Sequence, residues 1–489
     1  MSLNARCLVP AVLLVATGIL GAAEPGTPVE LGTRRELFVD RYLIESLDGA
    51  DLFLHEPRDC GSVIAFDAPW EGMFCGYTTI IRDGDTLRMY YRGLPDARAD
   101  GSDAETTCYA ESTDGLTWTK PNLRLFEVKG TRDNNVILAD AAPVTHNFCP
   151  FLDTNPAAAL EQRYKAVGGT AASGLIGYVA ADGIHWTKLR DEPVFKDTDW
   201  VFDSQNVPFW SEAEACYVLY YRRAVDGIRA IARSTSPDFV TWTSPEQMIY
   251  SDTESGRPSQ HLYTNQTQPY FRAPHLYVAT AARFMPGRQV VNEEQAAAIG
   301  VHPSYFHDTS DAVLLTSRGG NRYDRTFLGS LIRPGIGLKN WVSRTNYPAL
   351  NIVQTGPTEM SLYVQQDYGQ LTAHLQRYAM RLDGIASVRA PFEGGELVTR
   401  PVTFTGDRLS LNFATSAAGG IRVEVQEVDG QPIPGFALED CVEVIGNGIE
   451  RDVQWKSGAD VGSLAGKPVK LRFVMTDCDL FALRFHTAE

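Results

Sequence analysis

The sequence has little concentrated positive charge and little helical periodicity. Lys and Arg total 44 against 60 Asp and Glu, and the formal net charge of −16 is spread along the chain. No Lys/Arg-rich run appears, so the electrostatic attraction that drives nucleic-acid binding is missing. This balance favours a neutral substrate over a polyanion, unless the fold builds a local basic pocket.

Cysteine is also sparse. Seven of the eight cysteines follow the N-terminal apolar segment, as an odd, scattered set without a C-x-x-C pair or a close His/Cys cluster. This distribution excludes a disulfide framework and gives no structural zinc site. Phosphate-cradling glycine loops, nicotinamide fingerprints and serine-nucleophile elbows are missing as well. We predict no cofactor and no metal ligands, although isolated Asp, Asn and His residues leave room for a structural cation.

Long apolar runs are absent except at the N-terminus. There Arg6 precedes "LVPAVLLVATGIL", and "GAA" (Gly21–Ala23) supplies small residues for cleavage. This layout predicts a secretory signal peptide over residues 1–23, too short for a comfortable membrane span. The alternative is a retained N-terminal anchor. We expect an exported protein, periplasmic or extracellular, with no membrane span in the mature chain.

Short aromatic and β-branched strand pairs around tight turns recur along the chain. Five such hairpins are found, at Tyr77–Gly93, Asn147–Gly169, Val207–Arg223, Thr267–Phe284 and Met360–Arg381. Repeated four-strand sheets are the sequence signature of a β-propeller. We therefore predict an all-β fold with a five-bladed β-propeller over residues 30–390.

A phrase of the form Ser/Ala–Asp–Gly–x–x–Trp follows several hairpins. It is "STDGLTW" at residues 112–118 and "AADGIHW" at 180–186, with fainter versions in "STSPDFVTW" and "TSRGGNRYDRTF". Asp can accept backbone N–H bonds in a tight turn, Gly permits a positive φ, and Trp packs beside the next strand. We interpret the phrase as scaffolding rather than as an active site.

From about Gly395 the strands alternate cleanly between apolar and polar residues, separated by Gly- and Pro-containing turns. This texture predicts a C-terminal β-sandwich over residues 395–489. It contains no evident constellation of chemically active residues, so we expect an accessory or packing role.

In a propeller, residues just before the innermost strand of each blade face the central funnel. If each hairpin contains that strand, blades one, three and five contribute carboxylates, namely Glu71, Asp203 and Glu359. Blades two and four contribute amides and imidazole. The predicted substrate-binding residues are these groups of blades two and four, a further amide of blade three and an arginine expected to hold the substrate. They are His146, Asn147, Asn265 and Gln268, with Asn206 and Arg318.

Carboxylates that share one cavity suit glycosidic bond cleavage. One must stay protonated to donate to the leaving oxygen, and another must stay ionised to activate water or attack the anomeric carbon. We predict Asp203 and Glu359 as this pair, without assigning the roles, and Glu71 as a third, orienting carboxylate. The expected partner is an oligosaccharide or polysaccharide substrate.

Four segments carry a resemblance to a known group of proteins. "RRELFVDRYLIE" (Arg34–Glu45), "RMYYRG", "YAESTDGLTW" and "RYKAVGG" together resemble the exported, five-bladed glycosyl hydrolase family 32-like and family 43-like proteins. The resemblance implies three acidic residues at the starts of innermost strands, action on sugars and a C-terminal β-sandwich. The Trp-x-Asn-Asp-Pro-Asn-Gly, Arg-Asp-Pro and Glu-Cys motifs of invertases are missing, so their catalytic set does not transfer.

Two alternatives to a glycoside hydrolase stay open. A non-catalytic carbohydrate-binding propeller would explain the missing invertase motifs, because fold does not fix activity. A sialidase-type hydrolase would need an arginine cluster for the substrate carboxylate, for which Arg222, Arg283 and Arg318 are candidates.

Overall fold

The computed structural model describes residues 27–198 and 201–488 of the chain. The predicted signal peptide, residues 1–23, lies outside the described residues. Among the helices that the structure describes, none is long and apolar enough to cross a membrane. The described chain is almost entirely β-structure, with the short helix α1 (Glu293–Ile299) as its one α-helix.

The first five strands precede the blades in the chain. They are β1 (Val29–Gly32), β2 (Arg35–Leu37), β3 (Ile44–Asp48), β4 (Asp51–Leu54) and β5 (Arg58–Ala65). Only β5 joins the propeller, as described below.

Five antiparallel sheets within the described residues form the blades of a β-propeller. Blade one consists of β6 (Gly76–Asp83), β7 (Thr86–Gly93), β8 (Thr106–Ser112) and β9 (Val136–Leu138). Blade two consists of β10 (Cys149–Leu152), β11 (Tyr164–Thr170), β12 (Gly174–Ala180) and β13 (Thr187–Lys188). Blade three consists of β14 (Val207–Ser211), β15 (Cys216–Val225), β16 (Ile228–Ser236) and β17 (Glu246–Gln247).

The last two blades are less regular. A short strand β18 (Ile249–Tyr250) precedes blade four and pairs in parallel with β23 (Arg322–Tyr323). Blade four consists of β19 (His261–Leu262), β20 (Thr267–Tyr270), β21 (Ala273–Met285), β22 (Thr309–Ser317) and β24 (Ser330–Ile332). Blade five consists of β25 (Tyr347–Pro348), β26 (Val353–Gln354), β27 (Glu359–Gln366), β28 (His374–Arg381) and β5.

The ring is closed by strand exchange between the two ends of the propeller. β5 precedes blade one in the chain but pairs antiparallel with β28 as the outer strand of blade five. Backbone hydrogen bonds therefore hold the last blade to the start of the domain, and blade five is the one blade of the described chain that combines strands from both ends of the propeller. The predicted five-bladed propeller is confirmed.

The repeated Asp–Gly–x–x–Trp phrase forms the same turn in each of its first two copies. The Asp114 carboxylate accepts the backbone N–H groups of residues 116 and 117, and Gly115 lies at φ +76°. The Trp118 indole donates to the Gly115 carbonyl and packs against Tyr363 of blade five, with ring centroids 5.9 Å apart. Each such Trp fills a gap between blades, which confirms the scaffolding interpretation.

The C-terminal strands form a second β-structure together with the N-terminal segment. They are β29 (Ala386–Ala390), β30 (Gly395–Thr399), β31 (Val402–Phe404), β32 (Arg408–Gln426), β33 (Asn447–Asp452) and β34 (Lys470–His486). β1 pairs with β31, β2 with β34, β3 with β30 and β4 with β29. The expected boundaries at residues 30, 390 and 395 are corrected accordingly: residues 29–54 and 386–486 share sheets, and the propeller spans residues 58–381. The sandwich packing itself stays a prediction.

Candidate functional site

The floor of the funnel is a hydrogen-bonded ring of buried groups, one from each blade. Gln205 Nε2 donates to Thr79 Oγ1 at 2.6 Å and lies 3.5 Å from Cys149 Sγ. Gln266 Nε2 donates to Gln205 Oε1 at 2.6 Å and to the Pro348 carbonyl at 2.9 Å. These contacts link all five blades near the axis. We call the end of the propeller at which the innermost strands begin the mouth of the funnel.

Asp203 lies at this mouth, as the sequence predicts. Its carboxylate forms an ion pair with Arg222, which is buried near the end of β15, and its side chain is 48% exposed. Because β14 runs away from the mouth and β15 returns to it, the two residues meet at the same end of blade three.

The predicted residues of blade two also lie close to the mouth, and both are buried. His146 Nδ1 lies 3.0 Å from Glu105 Oε1, and His146 Nε2 lies 3.2 Å from Asn147 Nδ2. Asn147 Oδ1 accepts a hydrogen bond from Arg92 Nη1 at 3.2 Å, and Asn147 has a left-handed backbone, with φ +54°. His146 and Asn147 thus belong to a polar layer that supports the mouth.

The other predicted amides are buried at the starts of blades three and four. Asn206 Nδ2 donates to the Ser204 carbonyl, and Asn265 Oδ1 accepts the Thr267 N–H. In the described part of the chain, Asn206 Oδ1, Asn265 Nδ2 and Gln268 Nε2 have no hydrogen-bond partner. Their substrate-binding role stays a prediction.

Glu359 lies elsewhere, and the prediction that it precedes an innermost strand is wrong. The innermost strands of blade five are β25 and β26, which run away from the mouth, and Glu359 begins β27 beyond the following turn. It is on the opposite face of the propeller from Asp203. There it is paired with Arg377 and, at 3.1 Å, with Arg58.

Glu71 is also committed to structural contacts. Its side chain is fully buried, and its carboxylate accepts hydrogen bonds from Tyr91 at 2.6 Å and from Lys120 at 2.7 Å. A third hydrogen bond to this carboxylate comes from the Ala68 backbone N–H. The structure therefore does not bring Glu71 together with Asp203.

Arg318 ties the N-terminal segment to blade four. It pairs with Asp40 and, at 3.1 Å, with Glu36, and Glu36 also contacts His275 at 2.7 Å. Burial raises the pKa of Glu36, but Arg318 and then His275 outweigh it and bring that pKa to about 2. The arginine expected to hold the substrate is thus part of a buried ion-pair cluster, remote from the funnel.

A second carboxyl group lies at the mouth that was not predicted from the sequence. Asp100 lies on the exposed loop between β7 and β8, and its carboxyl group is hydrogen-bonded to that of Asp203. Since β7 returns to the mouth, the loop that follows it must lie there too. Counting strand directions within blade one would have found Asp100 and the neighbouring Glu105.

The environments of these two aspartates push their pKa values apart. Burial and the hydrogen bond with Asp203 raise the pKa of Asp100. Burial also tends to raise the pKa of Asp203, but the guanidinium of Arg222 and the hydrogen bond from Asp100 outweigh it, so its pKa is lowered. Asp203 is therefore the member of the pair that ionises first as the pH rises, and Asp100 is the member that holds its proton to higher pH.

Tyrosine and arginine side chains complete the mouth. The Arg222 guanidinium lies 4.5 Å from the Tyr263 ring centroid, and the Arg344 guanidinium lies 5.7 Å from the same centroid. Arg92 lies 4.8 Å from the centroid of Tyr77. Guanidinium groups at the mouth thus come from blades one, three and five, where the sequence analysis expected carboxylates.

One group of residues could hold a cation. Asp100, Glu105 and His146 offer ligand atoms that lie within 4.8 Å of one another. The fit is poor, because Arg92 Nη1 lies 3.7 Å from Glu105 Oε1 and already supplies positive charge there. The backbone N–H of Gly101 also points at His146 Nδ1, at 3.3 Å. The contacts therefore favour a salt-bridged layer over a metal centre.

Neither a family model nor a curated protein matches the sequence. Among solved structures, one described as a glycoside hydrolase is 13% identical with a TM-score of 0.44, covering 67% of this chain and 92% of that chain. An N-acetylgalactosamine deacetylase from F. plautii, in complex with blood group B trisaccharide, is 12% identical with a TM-score of 0.42, covering 69% and 97%. A fructofuranosidase from Schwanniomyces occidentalis, complexed with fructosylnystose, is 11% identical with a TM-score of 0.39, covering 90% and 99%. At these TM-scores the likeness carries no argument about chemistry. The resemblance noted in the sequence therefore holds for the five-bladed fold, which rests on the strand topology.

Proposed function

We propose that the protein is an exported glycoside hydrolase that cleaves an oligosaccharide or polysaccharide in the propeller funnel. The observation that supports it is the Asp100–Asp203 pair, whose pKa values are shifted in opposite directions at the open end of the funnel. Two carboxyl groups with separated pKa values are the means by which glycosidases hold an acid and a base at the same pH.

The roles follow from the charges. Asp100, the member with the higher pKa, is the general acid that donates a proton to the leaving glycosidic oxygen. Asp203, which is kept ionised by Arg222, activates water or attacks the anomeric carbon. The part-exposed ring of Tyr77 supplies an apolar surface for a sugar face.

The distance between the two carboxyl groups sets a condition on this mechanism. Glycosidase carboxyl groups are about 5–5.5 Å apart for retention and about 6.5–9.5 Å for inversion, whereas Asp100 and Asp203 are in hydrogen-bond contact. The sugar must therefore separate them when it binds. Asp100 lies on an exposed loop, so it is the member that moves.

The same contact favours a second candidate, a carbohydrate-binding propeller without catalytic activity. If the two aspartates stay bonded to each other when a sugar binds, neither carboxyl group is free to act on a glycosidic bond. A sugar would then be held by the tyrosine and arginine side chains of the mouth.

A cleavage assay separates the two candidates. The purified mature chain is incubated with a panel of neutral and acidic glycans, and new reducing ends are measured. Hydrolysis that is lost in Asp100→Asn but retained in Asp133→Asn, an exposed carboxylate of the outer part of blade one, would support the hydrolase. Binding without cleavage, unchanged by Asp100→Asn, would favour the binding propeller.

A further inference from the structure

Three guanidinium groups meet at the funnel mouth although the chain as a whole is acidic, with a net charge of −16. They belong to Arg92, Arg222 and Arg344. Arg92 is engaged within the protein, because it donates to Asn147 and to the Phe74 carbonyl and lies 3.7 Å from Glu105. Arg222 Nη1, like Arg92 Nε, has no hydrogen-bond partner among the described residues.

Arg344 is the least compensated of the three. Its Nη1 donates to the Tyr305 hydroxyl at 3.3 Å. No carboxylate of the described chain lies within 4.0 Å of it. Its guanidinium faces the Tyr263 and Tyr305 rings, and Asp203 acts on it only at longer range. A half-buried guanidinium without a counter-ion is costly, which indicates that its partner comes from outside the chain.

The backbone holds Arg344 in place at some cost. Arg344 has a left-handed conformation, with φ +60°, which a long side chain adopts rarely. The conformation brings the side chain of blade five toward Tyr263 of blade four and within electrostatic reach of Asp203 of blade three.

Two further donors point to the same ligand chemistry. Arg222 is 4% exposed, and while its Nη2 binds Asp203, its Nη1 has no hydrogen-bond partner among the described residues. The Tyr347 hydroxyl, in a side chain that is also 4% exposed, is likewise without a partner there. Burial raises the pKa of Tyr347, so this hydroxyl stays a neutral donor.

We infer that the funnel selects a sugar that carries a carboxylate, a uronic acid residue, and that Arg344 binds this carboxylate together with Arg222 Nη1 and the Tyr347 hydroxyl. A planar guanidinium matches a carboxylate through two parallel N–H···O bonds. This inference rests on the proposed function, since it names the substrate class of the same funnel. The overall charge of the chain favours a neutral substrate unless the fold builds a local basic pocket. The arginines of the mouth form such a pocket, so we expect an acidic sugar instead of a neutral one.

Binding of monosaccharides tests the inference without requiring catalysis. The full mature chain is titrated with D-galacturonic and D-glucuronic acids, with D-galactose and D-glucose, and with the methyl esters of the two acids. We expect an acid to bind about tenfold or more tightly than its neutral counterpart and its ester, because charged hydrogen bonds are the strong ones. Equal binding of the acids and the neutral sugars, or no binding of either acid, would overturn the inference.

Variants assign the selectivity to Arg344. Arg344→Gln should reduce the affinity for the acid to that for the neutral sugar, and Arg344→Lys should restore part of it. Arg124→Gln, which removes an equally charged but 69% exposed side chain, should leave the affinity unchanged. A change in Arg124→Gln equal to that in Arg344→Gln would mean a general charge effect and would overturn the assignment. Tighter binding of galactose 6-sulfate than of galacturonate would overturn the carboxylate class.

The outcomes separate this inference from the proposed function. Uronic acids that bind selectively, with no glycan cleaved, would leave the inference standing and remove the hydrolase. A neutral glycan that is cleaved, with no selectivity for uronic acids, would leave the hydrolase standing and remove the inference.

Discussion

Replacing Asp203 by Asn removes one charge from the funnel mouth and nearly preserves the shape of the side chain. The amide can neither activate water nor attack the anomeric carbon, and it no longer neutralises Arg222. We therefore expect a large loss of turnover together with a smaller loss of stability.

The expected losses of turnover and of folding stability have different physical origins. A positioned general base contributes about 10²–10⁴-fold to turnover, or about 2.7–5.5 kcal/mol of transition-state stabilisation. The stability term is smaller because the Asp203 side chain is 48% exposed, so water screens its ion pair with Arg222. We expect a decrease of about 1–3 kcal/mol in the free energy of unfolding, below the 3–5 kcal/mol typical of a fully buried pair, because Asp203 is screened by water while Arg222, which is 4% exposed, loses its counter-ion.

Two measurements on the same preparation check this prediction. The kcat of Asp203→Asn is measured on the glycan that the wild-type chain cleaves fastest, and chemical denaturation gives its free energy of unfolding. A kcat within about threefold of wild type would refute the catalytic role of Asp203. A loss of more than about 3 kcal/mol in stability would instead show that the screening argument for the Arg222 pair is wrong.

Three further predictions address the rest of the site and the scaffold. Because the pKa of Asp203 is lowered and that of Asp100 is raised in the free chain, the pH profile of kcat/KM should have limbs on either side of about 3.9; two limbs above that value would contradict the assignment. Glu359→Gln should keep kcat within about threefold of wild type and lower the melting temperature, since Arg377 loses its carboxylate; a hundredfold fall in kcat would return Glu359 to the site. Gly183→Ala should destabilise the fold by about 2–4 kcal/mol, because its φ is +74° and a Cβ would lie 2.5 Å from a tyrosine hydroxyl. Gly130→Ala, at φ +78° in open space, should cost only the backbone part, about 1–2 kcal/mol, and equal losses in denaturation experiments would show that sterics contribute nothing.

The sequence determines the repeated unit of the fold, because the signals for that unit are local. Alternating strands around short polar turns predict the hairpins, and the Asp–Gly–x–x–Trp phrase specifies its own turn through the contacts of Asp114, Gly115 and Trp118. These contacts span a few residues and do not depend on the position of the blade in the ring. Asp203 was found for the same reason, since the hairpin that follows it contains the innermost strand of its blade.

Only the tertiary structure decides which strands face the axis and which side chains meet there. The hairpin after Glu359 is as clear in sequence as the others, yet β5 takes the outer place of blade five and the short strands β25 and β26 take the inner one. A hairpin signal identifies two neighbours in a sheet but not their distance from the axis, which here depends on pairing between residues more than 300 positions apart. For the same reason the contact between Asp100 of blade one and Asp203 of blade three cannot be predicted from the local sequence. It forms because closure of the ring brings their two loops to the same mouth.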